Sequence, residues 1–136
     1  MATLNEKLKI SAGSATLFAF INMAETYGLT DQYLPIDTWN PVTQCPTMMG
    51  QLLHAVVFFL ITYATMRDPT VDNNTKIRHS LYGTLIFFFI SSPAMYSLTS
   101  SILGPVIATP DGCPTLMGVL LHAVVYCAVL VGVMYL

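Results

Sequence analysis

The sequence predicts an all-α polytopic membrane protein whose four transmembrane helices come from two parallel two-helix repeats. Three observations carry this expectation. Only 9% of the 136 residues are charged while 54% are apolar, against roughly 25% charged in soluble domains. With a mean hydropathy of +0.64, too few polar side chains remain to coat a water-soluble all-α core. Second, four stretches, about 10–30, 46–66, 80–101 and 114–136, reach the roughly 20 residues needed to cross a hydrocarbon core. Third, the chain is written twice. The run from Cys45 to Val57 returns from Cys113 to Val125, differing only at Met48/Leu116 and Gln51/Val119. Cys, Pro, Gly and His recurring at one fixed spacing mark an internal duplication. Weaker echoes lie upstream: Lys7-Leu8-Lys9-Ile10-Ser11 against Lys76-Ile77-Arg78-His79-Ser80, and Tyr27-Gly28-Leu29-Thr30 against Tyr96-Ser97-Leu98-Thr99. The repeats then occupy 1–68 and 69–136 of one membrane domain.

The first stretch is the least apolar, holding Ser11, Ser14, Thr16, Asn22 and Glu25. Its small residues, Ala12, Gly13, Ala15 and Ala19, suit close helix packing in lipid. No compact apolar core followed by a cleavage site is present, so this stretch is expected to stay as an anchor. The second stretch and the fourth are nearly free of polar groups. The third runs into Ser91-Ser92-Pro93, where a lost backbone hydrogen bond predicts a kink. Lys7 and Lys9 precede the first stretch, and Arg67, Lys76 and Arg78 lie between the second and third. The connections at about 31–45 and 102–113 contain no Lys or Arg but carry Asp31, Asp37 and Asp111, with Tyr33 and Trp39 as interface anchors. The positive-inside tendency therefore puts both termini and the central connection on the cytosolic side. Units that cross twice keep one orientation, so the repeats are parallel, about an axis along the membrane normal. Asn73-Asn74-Thr75 matches a glycosylation acceptor but reads as a solvated turn on the cytosolic side.

The repeated element reads as a helix entrance. Pro46 and Pro114 suit a first helical turn, and Gly50 and Gly118 allow a second backbone to approach. His54 and His122 follow on roughly the same face, about 12 Å below the helix start if about eight residues in. Ionisable groups inside a membrane default to function. The two imidazoles could hold a haem or metal between them or carry protons. Equally, each could bond a carbonyl or a Ser, Thr or Tyr hydroxyl and fix how neighbouring helices pack. Two ligands make an incomplete metal site, which favours packing. Cys45 and Cys113 could pair across the pseudo-axis if their side is oxidising, or stay reduced. Cys127 reads as helix filler, and the methionines as ordinary packing.

Other classes find no support. There is no phosphate-binding glycine loop, no paired carboxylates, no C-x-x-C pair and no basic patch large enough for nucleic acid. No connection could hold a soluble catalytic domain, so neither an enzyme nor a cofactor or metal is expected. A channel lacks a filter-like repeat.

With Leu4-Asn5-Glu6-Lys7-Leu8-Lys9-Ile10-Ser11, Glu25-Thr26-Tyr27-Gly28-Leu29-Thr30-Asp31 and the twice-used Cys-Pro-Thr element, nearly the whole chain resembles the small duplicated four-helix membrane proteins of large icosahedral DNA viruses of algae and protists. That resemblance implies a protein of the virion's internal membrane, beneath an icosahedral capsid and counted among its minor capsid components. It carries over no catalytic residue.

The expected function is thus a structural integral membrane protein linking a bilayer to a protein shell. Its expected partners are lipid, capsid or other virion proteins and further copies of itself, but not nucleic acid. Gly50, His54, Gly118 and His122 would pack helices, Cys45 and Cys113 would form a staple, and Arg67, Lys76 and Arg78 would make the cytosolic-side contact. The alternatives are a haem-binding electron carrier using His54 and His122, and a small oligomeric channel.

Overall fold

The computed structural model describes residues 3–40, 42–43, 45–66, 69–109 and 113–135. Arg67 and Asp111 lie outside them. The described chain is mostly helical, in the order α1 Leu4–Asn22, α2 Ala24–Tyr33, β1 Trp39–Asn40, β2 Cys45–Pro46, α3 Met48–Thr65, α4 Asn73–Ile90, α5 Pro93–Leu103 and α6 Leu116–Val133. Each half thus runs long helix, short helix, loop, long helix.

Helix starts follow local chemistry. Thr3 and Glu6 form a reciprocal capping box on α1. Thr47 and Thr115 cap α3 and α6 by accepting from the Gly50 and Gly118 N–H groups at 3.0 and 3.1 Å. Pro46 and Pro114 therefore precede the caps, in strand β2 and in a bridge to Ala108, rather than occupying the first helical turn. The threonine hydroxyl, not proline's fixed φ, sets where these helices begin. Asn73 opens α4 directly after its N-cap Asp72, so the Asn73-Asn74-Thr75 segment is a first helical turn and not a free loop.

The first and third apolar stretches are broken. Ser91 and Ser92 interrupt the third, where Ser92 caps α5 with Pro93 in its first turn, as the kink predicted; α5 bends 53° from α4. The matching break at Met23 has no proline, its backbone turning extended with φ −66° and ψ 145°. Carbonyls freed there find new donors: the Thr26 hydroxyl reaches Phe20 O at 2.6 Å, and His54 reaches Ile21 O. Among the described residues, α3 and α6 are each long and apolar enough to cross a membrane, and α4 with α5 makes a third if the bent pair is one span. Helix α1 opens with Glu6, Lys7 and Lys9, which dilute its apolar character.

The core lies where the four long helices meet. Phe18, Phe58, Phe87 and Tyr126 are fully buried and interlock around a local two-fold arrangement. Phe18 stacks on Tyr126 at 5.0 Å and Phe87 on Phe58 at 4.4 Å, while Phe18–Phe87 and Phe58–Tyr126 meet edge-on at 5.3 and 5.9 Å. Helix α1 packs mainly on α6 and α3 on α4, so the long helices pair between halves. At the far end Ser11 lies 3.8 Å from Met134 Sδ and Ser80 3.8 Å from Met66 Sδ. One departure from the pattern is instructive: Tyr126 spends its hydroxyl on the Gly83 carbonyl at 3.0 Å, whereas Phe58 needs no such partner. Within α1, Ala15 is buried but Ala12 and Gly13 are exposed, and a Cβ on Gly13 would meet nothing within 4 Å. The expected small-residue contact therefore uses only part of that set.

Facing outward, Leu52, Val56 and Leu60 on α3, Leu120 and Val124 on α6, and Phe89 on α4 are exposed. Apolar cover this continuous is uncharacteristic of a surface that meets water.

Candidate functional site

His54 and His122 each sit at the break between a long and a short helix. His54 lies six residues after Met48, the start of α3, or about 9 Å along the axis by helix rise, shallower than the sequence suggested. Its Nδ1 is 3.0 Å from the Ile21 carbonyl oxygen and its Nε2 3.0 Å from the Thr30 hydroxyl. The ring stacks on Tyr27 at 3.9 Å with 9° between planes. His122 repeats this: Nδ1 is 2.9 Å from Ile90 O and Nε2 3.0 Å from Thr99 Oγ1, with Tyr96 stacked at 3.9 Å and 6°. Both rings are buried, as are Tyr27 and Tyr96. Each imidazole thus ties the end of one long helix to the second half of the short helix that follows it, and both bonds stay within the ring's own half. No contact joins the two rings to each other.

The glycines serve the loops rather than another helix. A Cβ on Gly50 would overlap the Thr38 carbonyl oxygen, and one on Gly118 the Ile107 carbonyl oxygen. Those carbonyls are held there because they accept from the Thr47 N–H at 3.0 Å and the Thr115 N–H at 3.2 Å. The same threonine hydroxyls donate back to the loop, Thr47 to Asp37 O at 2.6 Å and Thr115 to the equivalent Val106 O, with Ile107 O also 3.0 Å from the Thr115 hydroxyl. In the first half Asp31 also accepts from the Thr38 N–H at 3.0 Å. One step earlier, Cys45 and Cys113 form a disulfide with Cα atoms 5.2 Å apart. The repeated element therefore acts as a row of fasteners: Cys joins the halves, Thr caps the helix, Gly admits the loop, and His grips the helix break.

A cross-link between the halves departs from the repeat. Gln51, where the second half has Val119, donates from Nε2 to the Ser91 carbonyl at 3.3 Å, a group freed by the α4–α5 break. Replacing Gln51 by Leu leaves that buried carbonyl unpaired. It should lower stability by about 1–2 kcal/mol, measured by thermal unfolding in detergent, while Val119→Leu should cost less.

Lys76 and Arg78 lie on the first turns of α4 rather than in a connection, and Arg78 is exposed. Lys7 places its ammonium 3.6 Å over the Tyr135 ring, which ties the N-terminal end of α1 to the end of α6. Neither half assembles a metal site: among the described residues no three His, Cys, Asp or Glu side chains converge. An iron between the histidines would also have to strip a hydrogen bond from each ring.

Sequence reasoning missed Tyr27, Thr30, Tyr96 and Thr99 as the partners of the histidines. The signal was present, because both Tyr/Thr pairs recur three residues apart, which places each pair on one helix face. No protein-family model, curated protein or solved structure matches this chain.

Proposed function

We propose that the protein is a structural integral membrane protein, crossing the bilayer four times as two parallel two-helix units. In this reading α1 with α2 and α4 with α5 are the broken first and third crossings, and α3 and α6 the unbroken ones. The observation that carries it is the engagement of every chemistry-bearing side chain of the repeated element with the chain itself. Cysteine, threonine, glycine and histidine are all spent on joining helices and loops, while the outward faces are apolar. Such a molecule presents lipid-compatible walls and two ends for contact. The end carrying Lys7, Lys9, Lys76 and Arg78 faces the cytosolic-equivalent side, and the disulfide end faces away from it, as an oxidising compartment favours.

Within a virion, the fitting role is an internal-membrane or minor capsid component whose basic end touches the protein shell. Two measurements test this. Single cysteines placed at Lys9 and Arg78 in a Cys127→Ser background should label from the same side of sealed vesicles, with a cysteine at Val42, exposed in the loop beside the disulfide, labelling from the other. Labelling of positions 9 and 78 from opposite sides would overturn the topology. In purified particles, amine-reactive cross-linkers should join Lys76 to a shell protein; absence of the chain from such particles would sink the viral assignment alone.

A further inference from the structure

The hydrogen atoms around each histidine can be counted, and the count points to a use. A carbonyl oxygen only accepts, so Nδ1 of His54 must carry a proton to bond Ile21 O, and Nδ1 of His122 likewise to bond Ile90 O. What varies is Nε2. Its neighbour, the Thr30 hydroxyl, has a choice of acceptors, because Thr26 O lies 2.9 Å away on the preceding turn. Thr99 has the same choice, with Met95 O at 2.8 Å. In the neutral ring, the hydroxyl donates to the Nε2 lone pair. In the protonated ring, Nε2–H donates to the hydroxyl oxygen and the hydroxyl hydrogen turns to the helix carbonyl. Both states leave every donor paired, and passing between them needs one O–H rotation with no displaced heavy atom.

We propose that His54 and His122 are two proton-binding sites, each taking up one proton at Nε2 through its threonine relay. One proton is added, no covalent bond between heavy atoms changes, and the site gains one positive charge. A buried charge is costly unless its hydrogen bonds are complete, and here they are. The stacked Tyr27 and Tyr96 rings, 3.9 Å from the imidazoles, add the attraction of a π face for a cation. Around His54, α1 carries no titratable side chain after Lys9 and α3 none before Tyr63. Helix α2 offers the Tyr27 face, the Asp31 carboxylate is occupied by Thr38, and Glu25 and Asp37 are exposed. Around His122, α5 offers only Tyr96 and the end of α4 offers none, while Tyr126 on α6 points its hydroxyl to Gly83. The hydrogen bonds at both rings go to a carbonyl and a threonine, and none to a carboxylate. His54 and Thr30 also line a cleft of about 220 Å³ with Ile21, Thr26, Leu34, Leu53 and Val57.

The inference rests on the ring geometry and not on the viral or four-span reading. Nitrogen-15 spectra of histidine-labelled full-length protein in lipid nanodiscs, taken from pH 9 to pH 4, decide it. His54 and His122, assigned apart from the exposed His79 by a His79→Gln background, should pass from one protonated nitrogen to two, reversibly, with the Ile21 and Ile90 resonances keeping their folded positions. Thr30→Val should weaken proton binding at His54 about tenfold, since a hydrogen bond to the charged form is the stronger one, and leave His122 unchanged. Thr99→Val should do the converse, and Thr30→Ser should retain wild-type affinity. Histidines that hold one protonation state across the whole range, or that lose their stacked environment on protonation, would overturn the proposal. So would a Thr30→Val protein with unchanged proton affinity at His54.

Discussion

Gly118→Ala should be among the most damaging single-methyl additions in this chain, costing roughly 3 kcal/mol by the upper range for overpacking. The new Cβ would overlap the Ile107 carbonyl oxygen, and that oxygen cannot retreat. It is held by the Thr115 N–H at 3.2 Å, and the Thr115 hydroxyl, bonded to the neighbouring Val106 carbonyl, lies 3.0 Å from it. Ile107 and Ala108 are themselves buried against Tyr96 and Val119. Relief requires giving up either the cap of α6 or the packing of the loop. Gly50→Ala meets the same obstacle in Thr38 and should cost a similar amount. An internal control sits on the same helix: a Cβ at Gly132 meets nothing within 4 Å. Gly132→Ala should therefore be neutral or stabilising by up to about 1 kcal/mol through helix propensity. Thermal unfolding of the three variants in detergent micelles reads the contrast. Equal midpoints for Gly118→Ala and Gly132→Ala would show that the loop can move and that the fastener reading of the glycine is wrong.

What could be read from the sequence follows from how local the cause is. Helices α3 and α6 announce themselves because apolar residues fill all their faces and a threonine cap precedes each one. The break before Pro93 was legible for the same reason, since serine and proline act on their own backbone. The break at Met23 was not, because part of what satisfies it lies elsewhere: Ile21 O is bonded by His54, a residue on another helix. The role of the glycines was half visible. Their need for a close backbone could be read, but the backbone that arrives belongs to the loop just before the helix, which the one-residue difference in loop length disguises. From Thr38 to Cys45 is seven positions, and from Ile107 to Cys113 six. Tertiary partners of this kind leave a trace only when a repeat prints them twice.

The disulfide should contribute about as much stability as any single feature. Cys45 and Cys113 close a segment with a sequence separation of 68. Chain entropy alone assigns a loop of that length about 4 kcal/mol. In the bilayer setting proposed above, the unfolded chain would keep its helices and be less free than a coil in water, so the measured value should fall below that, at about 2–4 kcal/mol. Cys45→Ser, Cys113→Ser and reduction by a phosphine should each lower the unfolding midpoint in nanodiscs by the same amount. The double variant should lose no more than either single one, because all of them remove one bond; additive losses would mean the sulfurs act separately. The connectivity has its own test. With a protease site inserted between Pro69 and Asp72, in the connection that joins α3 to α4, cleavage should leave the halves migrating together without reductant and apart with it. Halves that separate without reductant would refute the cross-link between repeats. The bond also pins the end of the molecule opposite Lys7, whose ammonium sits over Tyr135. Losing it should therefore loosen the loop ends of α3 and α6 first, and the Ser11–Met134 and Ser80–Met66 contacts last. Hydrogen exchange should show that gradient, with the Gly50 and Gly118 amides losing protection before those beside Phe18 and Phe87.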